Sequence, residues 1–338
     1  VLSLWRAIAL RQKIRLRLIW LLAAFLELLI LLSAILGIDF NLSFSRYLWF
    51  LAALFIAYLL STSTVINRRV AWRVFLLSAI LPAILGIGQF VNNFSLGNKY
   101  LGLAEKQPEI AGVSVVEYES DGIVWRQLRA YGPFGHPNMF GGFLAIVLVS
   151  AVIYFRRRES CSWYQTHPRK FLVYSTVYLA LLSLALVLSF SRAAVLAAVL
   201  AIVVYWFLAP PYATWQLSRE RYRVLGVLIL FLLLLNFSLW PLWSARLSGD
   251  NRLAIISQTE RIAGYSQAQQ LIKGNCLLGV GLGNYSQELT KAYPQEPAYY
   301  YQPVHNTWLL LLVEVGILGW LTVAALVSWV FLRGLKYR

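Results

Sequence analysis

The sequence predicts an all-α fold: a polytopic membrane bundle of about eight transmembrane helices with a helical loop subdomain outside the membrane. Hydrophobic residues make up 59% of the 338 residues, and charged residues only 13%. The apolar segments are about 20 residues long, the length that an α-helix needs to cross the hydrocarbon core of a bilayer. No segment shows the alternating pattern of a membrane β-barrel strand, so helices must satisfy the backbone hydrogen bonds.

The apolar segments and the loops between them divide the chain into three predicted parts. Spans are expected at residues 16–38, 47–65, 74–91, 139–155, 171–190, 193–208, 224–243 and 307–332. We expect residues 1–243 to form the transmembrane bundle, including a long outer loop at 92–138. Residues 244–304 are expected to form a helical subdomain outside the membrane, and residues 305–338 to form the final transmembrane helix.

The distribution of basic residues predicts the orientation of the chain. Both termini and the short loops on one side of the predicted spans hold 19 of the 30 lysines and arginines. The other side holds 11, spread over long loops that also carry ten of the 14 acidic residues. Because short basic loops stay in the cytoplasm, both termini are predicted to be cytoplasmic, and the long loops to be extracytoplasmic.

Charge and cysteine content limit the expected partners and cofactors. A net charge of +16 would suggest nucleic acid as the partner of a soluble protein. Here the basic residues lie at membrane boundaries, so the expected partner is the membrane and not nucleic acid. Cys161 and Cys276 fall on opposite sides of the predicted membrane and cannot pair, and the chain shows no metal-ligand spacing. We therefore predict no cofactor and no metal site.

The first outer loop ends in a stretch rich in turn residues, YGPFGHPNMFGG at 131–142. Its glycines and prolines disfavour a helix before about Asn138, which is expected to cap the following span. His136 is either part of a structural turn or a polar group that lines a site. Glu117 and Glu119, earlier in the loop, could form a catalytic carboxylate pair, but a solvated run of charges is the favoured interpretation.

Two arginines on the outer side are candidate anion ligands. Arg192 lies between two apolar stretches with almost no loop, a position where insertion of a charge is costly, and a functional role is favoured over simple exposure of the charge at the interface. Arg261 lies on a helix predicted at 257–273, where a local ion pair with Glu260 and an anion-binding role are equally supported. The following segment, GVGLGN at 279–284, lacks the lysine and flanking strand of a phosphate-binding loop, so a tight loop is predicted.

His305, one of three histidines, opens the run His305-Asn306-Thr307-Trp308 at the start of the last span. An imidazole at a membrane boundary is a candidate general base, and the helix N-terminus that follows favours a bound anion. Asn306 and Tyr301 are candidate lining residues. The tyrosines that precede His305 form either an interfacial aromatic belt or a surface for stacking sugars.

These residues together suggest an anionic lipid headgroup as substrate, attacked by a hydroxyl that His305 activates. Arginine side chains suit phosphate oxygens because they donate two parallel hydrogen bonds. No metal or nucleotide site is visible in the sequence, which fits a donor that is already activated as a lipid diphosphate.

The same residues resemble a known family. His305-Asn306, followed after nine residues by Gly316 and then by Gly319, resembles the H-N-x9-G-x-x-G motif of the bacterial O-antigen ligase family. GPFGHPN at 132–138, SRAA at 191–194, and the Arg261 helix followed by GVGLGNY at 279–285 resemble the family in the same order.

This resemblance implies a metal-independent glycosyltransferase of the bacterial inner membrane. Such an enzyme would move a glycan from undecaprenyl diphosphate to an acceptor hydroxyl at the outer face, and in the ligases the acceptor is lipid A–core oligosaccharide. By position, His305 would be the base, while Arg192 and Arg261 would hold the diphosphate.

The identity of the acceptor and the span count are open at this point. Family members usually have about a dozen spans, and the superfamily also includes O-antigen polymerases, protein O-oligosaccharyltransferases and proteins once described as bicarbonate transporters. Transport of small anions would require paired polar residues within the spans, and apart from Glu27 and Glu314 the spans lack them.

Glu314 is predicted not to orient His305, because nine helical residues place the two on opposite faces, about 13 Å apart along the axis.

Overall fold

The computed structural model describes residues 18–63, 66–100, 102–120, 122–158, 166–208, 239–248 and 252–336. These residues are mostly helical, which confirms the predicted all-α membrane fold. Among the described residues, six helical segments are long and apolar enough to cross a membrane, and Arg192–Tyr205 is a shorter apolar segment. They correspond to seven of the eight predicted spans. Most of the remaining span, expected at 224–243, lies outside the described residues.

The helices are numbered in chain order, with a short 3₁₀ helix at Ala298–Tyr301 before the last. They are α1 (Leu18–Leu36), α2 (Phe40–Thr62), α3 (Arg68–Leu77), α4 (Ile80–Val91), α5 (Pro137–Arg158), α6 (Pro168–Leu188), α7 (Arg192–Leu208), α8 (Trp240–Ser248), α9 (Arg252–Gly274), α10 (Tyr285–Ala292) and α11 (Thr307–Lys336). The two strands are β1 (Val115–Ser120) and β2 (Ile123–Leu128).

The chain divides into two compact units, which we call the N/C unit and the central unit. The N/C unit consists of Val1–Arg68 and Ile255–Arg338, and the central unit of Arg69–Ala254. In the N/C unit, α1 packs against both α2 and α11, and Leu26, Ile30 and Val315 are buried between them. The three consecutive parts expected from the sequence stay a prediction.

Helix α11 is broken at Gly316, where φ is 66° and ψ is −176°. The break frees backbone groups within a transmembrane helix, and the loop at 276–284 pairs with them. Val280 N–H donates to the carbonyl of Val313 at 3.0 Å, and Ile317 N–H donates to that of Cys276 at 2.9 Å. The predicted tight loop thus lies against the final helix and satisfies its backbone, as burial in a membrane requires.

In the central unit, α5 packs against α6 and α7, and α4 packs against α6. The core of this unit is built from apolar side chains of those helices, among them Phe140, Leu144, Leu182 and Leu186, which are almost completely buried. These contacts fix the turn between α6 and α7, where Arg192 lies.

The first outer loop contains a two-stranded antiparallel hairpin of β1 and β2, a local addition to an otherwise helical fold. Glu117 lies opposite Arg126 in the hairpin, and their side chains form an ion pair of 3.1 Å. This ion pair occupies Glu117 and supports the charged-surface interpretation over a catalytic carboxylate pair.

Candidate functional site

His305 is exposed at the end of an extended segment, immediately before α11. The next residue, Asn306, caps this helix: its Oδ1 accepts hydrogen bonds from the backbone N–H groups of Trp308 (3.1 Å) and Leu309 (3.2 Å). Such a cap satisfies amides that lack partners in the first helical turn. The cap therefore determines where the membrane helix begins and keeps His305 at its accessible end.

A pocket of about 150 Å³ lies beside His305. One wall is a face of α9, on which Glu260, Ala263, Gly264 and Gln267 follow each other at helical spacing. The opposite wall is the segment that leads to His305, and its lining residues are Tyr300, Gln302, Pro303, Val304 and His305. The pocket combines an imidazole, a carboxylate, two amides and an aromatic ring.

Hydrogen bonds from two buried side chains support the pocket, one between its walls and one behind the wall formed by α9. Gln267 Nε2 donates to the carbonyl of Tyr300 at 3.2 Å. Tyr285, which is completely buried, donates its O–H to the carbonyl of Gly264 at 3.3 Å. Burial, with a smaller contribution from Tyr300, raises the pKa of the Tyr285 phenol to about 12, so this group remains a donor at neutral pH. The shape of the pocket thus depends on groups that cannot easily ionise.

Three other sequence candidates lie outside this pocket. Arg261 is exposed and follows Glu260 on α9, about 100° around the helix axis from it; within the described residues no ion pair joins the two. The Tyr301 hydroxyl lies within hydrogen-bond distance of the carbonyls of Tyr293 (2.6 Å) and Glu296 (2.7 Å) and can donate to either, so it supports the loop.

Glu314 is the third residue that was considered from the sequence and lies outside the pocket. Its carboxylate interacts with the backbone N–H groups of Gly283 and Tyr285 and with the charge of Arg46. These contacts confirm the prediction that Glu314 is not the orienting partner of His305. They join α11 to the loop that precedes α10, within the N/C unit.

In the central unit, Arg192 is exposed and is the first residue of α7. The turn before it is strained, because the buried Phe190 has a φ of 48°, in the left-handed region that bulky residues avoid. The Phe190 ring packs between Phe90, with 5.9 Å between ring centroids, and Trp243, with 5.1 Å. These aromatic contacts hold the turn that presents Arg192.

Arg129 supports the same turn and was not identified from the sequence. It is only 2% exposed; its Nε donates to the carbonyl of Ser189 at 2.9 Å and its Nη2 to Oδ1 of Asn138 at 2.7 Å. Burial, together with repulsion from Arg246 and Arg192, lowers the pKa of Arg129 to about 9, even though Tyr131 acts in the opposite direction. The guanidinium is therefore a buried cation at neutral pH.

The contacts of Asn138 and His136 correct one prediction. Helix α5 begins at Pro137, so Asn138 is inside the first turn and is not the cap; its side chain accepts from Arg129 instead. His136 Nε2 lies 3.2 Å from Ser114 Oγ, and its Nδ1 accepts from the Asn138 backbone N–H at 3.1 Å. Both residues therefore organise the turn at the start of α5.

The part of the chain that the structure describes contains no cluster of three or more histidine, cysteine, aspartate or glutamate residues that could hold a metal ion. The family model described as O-antigen ligase matches residues 177–324. The matched segment includes Arg192, Arg261, His305 and Gly316, and the match confirms the family resemblance drawn from the motifs. No curated protein and no solved structure gives a significant match to the chain.

Proposed function

We propose that this membrane protein, which carries an O-antigen ligase domain at residues 177–324, transfers a glycan from undecaprenyl diphosphate to an acceptor hydroxyl. The proposed place is the outer face of the bacterial inner membrane, with both ends of this chain in the cytoplasm. The observation that carries the proposal is the pocket that ends at His305, next to the capped start of a transmembrane helix. An acceptor hydroxyl in this pocket would lie beside the imidazole.

In the proposed reaction, His305 is the general base and takes the proton of the acceptor hydroxyl. The acceptor oxygen then bonds to the anomeric carbon of the glycan as the bond from that carbon to the diphosphate oxygen breaks. The electron pair of the broken bond leaves with undecaprenyl diphosphate, which gains a negative charge. Arg192 and Arg261, both exposed, are proposed to bind the diphosphate and to stabilise this charge.

The pocket lining supports a carbohydrate acceptor, with lipid A–core oligosaccharide as the preferred candidate. Gln267 and Gln302 bring amide groups to the pocket, and Tyr300 brings an aromatic ring. Amides can donate and accept hydrogen bonds with sugar hydroxyls, and an aromatic ring offers an apolar face. A growing O-antigen chain, as used by a polymerase, is also a carbohydrate, whereas a protein O-oligosaccharyltransferase would use a serine or threonine side chain.

The test is a transfer assay with the purified protein in lipid nanodiscs and a labelled undecaprenyl-diphosphate glycan. Lipid A–core, an O-antigen oligosaccharide and a serine-rich peptide are supplied in separate reactions. His305→Ala should reduce transfer by roughly a hundredfold to ten-thousandfold, as expected for loss of a general base. The matched control is His167→Ala, because His167 is exposed at the start of α6.

The control variant should transfer glycan at the wild-type rate, and a chelator should leave this rate unchanged. No transfer to any of the three acceptors by a folded protein that binds the donor would contradict the proposed reaction. Transfer to the peptide alone would replace the carbohydrate acceptor with a protein.

A further inference from the structure

The turn between α6 and α7 has a conformation that its own residues do not favour. Phe190 is held at a positive φ, and such strain persists only where the surrounding structure imposes it. Helix α5 approaches this turn closely: a Cβ atom on Gly141 would lie 2.8 Å from both Ser189 Oγ and Ser191 Cβ. The start of α7, and with it Arg192, is therefore placed by contacts with α5 and its preceding segment.

Arg129 makes the polar part of these contacts. Its guanidinium joins the carbonyl of Ser189, in the turn, to the side chain of Asn138, in the first turn of α5. The adjacent backbone N–H of Ala130 donates to the carbonyl of Leu188 at 2.9 Å. The segment before α5 is thereby fastened to the end of α6 by one side-chain and one backbone hydrogen bond.

The hydrogen-bond partners of Arg129 are neutral. Among the described residues, the ion pair that the structure shows joins Arg126 to Glu117, and no carboxylate pairs with Arg129 or Arg192. A buried charge is normally paired, because removal of an ion from water is costly. The buried guanidinium of Arg129 has no carboxylate partner, and the exposed guanidinium of Arg192 lies near it. Together they produce a positive potential that an anion can neutralise.

We propose that Arg129 is a positioning residue for the donor: it fixes the turn that presents Arg192 and, as a buried cation, increases the attraction of Arg192 for a phosphate group. This inference rests on the proposed function, because it assumes that Arg192 binds the diphosphate of the lipid donor. It adds a residue that touches Ser189 and Asn138 and acts on the ligand through Arg192.

The test measures binding of inorganic pyrophosphate to the full chain in detergent, and steady-state transfer with the lipid donor. Arg129→Lys keeps the charge but cannot reproduce two hydrogen bonds from one planar group. Asn138→Asp keeps an oxygen acceptor for Arg129 but places a carboxylate beside it. The matched control is Arg126→Gln, which removes an arginine three residues away that already has its own carboxylate.

Both variants should bind pyrophosphate more weakly, by roughly threefold to tenfold, which is less than the loss of a charge-assisted contact because neither variant removes Arg192. They should raise the KM for the donor by a similar factor and leave kcat and the KM for the acceptor unchanged. Arg126→Gln should match the wild type in all of these measurements. General damage to the fold would instead reduce kcat and the fraction of active protein.

Arg192→Gln separates this inference from the proposed function. If Arg192→Gln binds pyrophosphate as the wild type does, the diphosphate role of Arg192 fails. If Arg192→Gln loses binding while Asn138→Asp keeps the wild-type affinity and donor KM, the role of Arg129 is overturned. Asn138→Asp decides the question even if Arg129→Lys does not fold, because it preserves the hydrogen bond to Arg129.

Discussion

The two candidate sites, at His305 in the N/C unit and at Arg192 in the central unit, are built in different ways. Both residues are exposed and both lie at the start of an apolar helix. His305 follows an extended segment and lines a pocket, and a single half-buried side chain, Asn306, caps its helix. Arg192 follows a strained, buried turn that is anchored by Arg129 and aromatic rings.

This difference fits the two tasks that we propose. A diphosphate is small and invariant, so its ligand benefits from a rigid position and a charge arranged in advance. An acceptor hydroxyl is carried by a large molecule, so the base must be accessible. The N/C unit also contains a rigid part, but it does not include His305: it is the broken helix α11 together with the loop at 276–284, which are joined by backbone hydrogen bonds.

The largest expected effect is the loss of stability when the break in α11 is disturbed. A Cβ atom at Gly316 would overlap the backbone of Leu277, and the positive φ there is strained for alanine. Gly316→Ala should destabilise the protein by roughly 3 kcal/mol or more, measured by unfolding in detergent. Gly88→Ala is the control, because a Cβ there meets nothing within 4 Å. A Gly316→Ala protein as stable as this control would show that the helix break does not require glycine.

A smaller effect is expected at the cap that places His305. Asn306→Ala should cost about 1 kcal/mol of stability, as for loss of other helix N-caps, and should lower kcat because the start of α11 is no longer fixed. Asn306→Asp retains the acceptor oxygen and should unfold as the wild type does. Equal turnover for Asn306→Ala and the wild type would show that the cap does not position the base.

The smallest effect concerns pH in the central unit. Above pH about 9 Arg129 loses its proton, so pyrophosphate affinity should fall between pH 8 and 10, by roughly twofold to tenfold relative to Arg129→Gln at each pH. In the absence of pyrophosphate, the free energy of unfolding should rise over the same pH range. The unfolded chain keeps this proton to higher pH than the folded one, so removal of protons favours the folded state above pH 9. A constant affinity ratio would contradict the role of the Arg129 charge.

The helices could be predicted from the sequence because each is a long apolar segment, and the described spans lie close to their predicted positions. The hairpin was not predicted, although Asp121-Gly122 is a turn dipeptide between segments rich in β-branched residues. The break at Gly316 could not be read from hydropathy, since it depends on a loop some 35 residues earlier that supplies hydrogen bonds.

The site residues also divide into those that local sequence identifies and those that only the packing of the fold identifies. Asn306 and its cap follow from local sequence rules, and His305 was conspicuous because histidine is rare in the chain. Arg129 could not be distinguished from Arg126 by sequence, since both lie in the same outer loop. Only the packing of α5 against the end of α6 buries one of them and leaves the other in a half-buried ion pair.

The roles of His305 and Arg192 are tested most directly by the steady-state kinetics of His305→Ala and Arg192→Gln with varied lipid donor. His305→Ala should lower kcat by roughly a hundredfold or more with little change in donor affinity. Arg192→Gln should weaken donor binding by on the order of tenfold to a hundredfold. The contradictory result is normal turnover by His305→Ala, because the proposed base would then have no part in the chemical step.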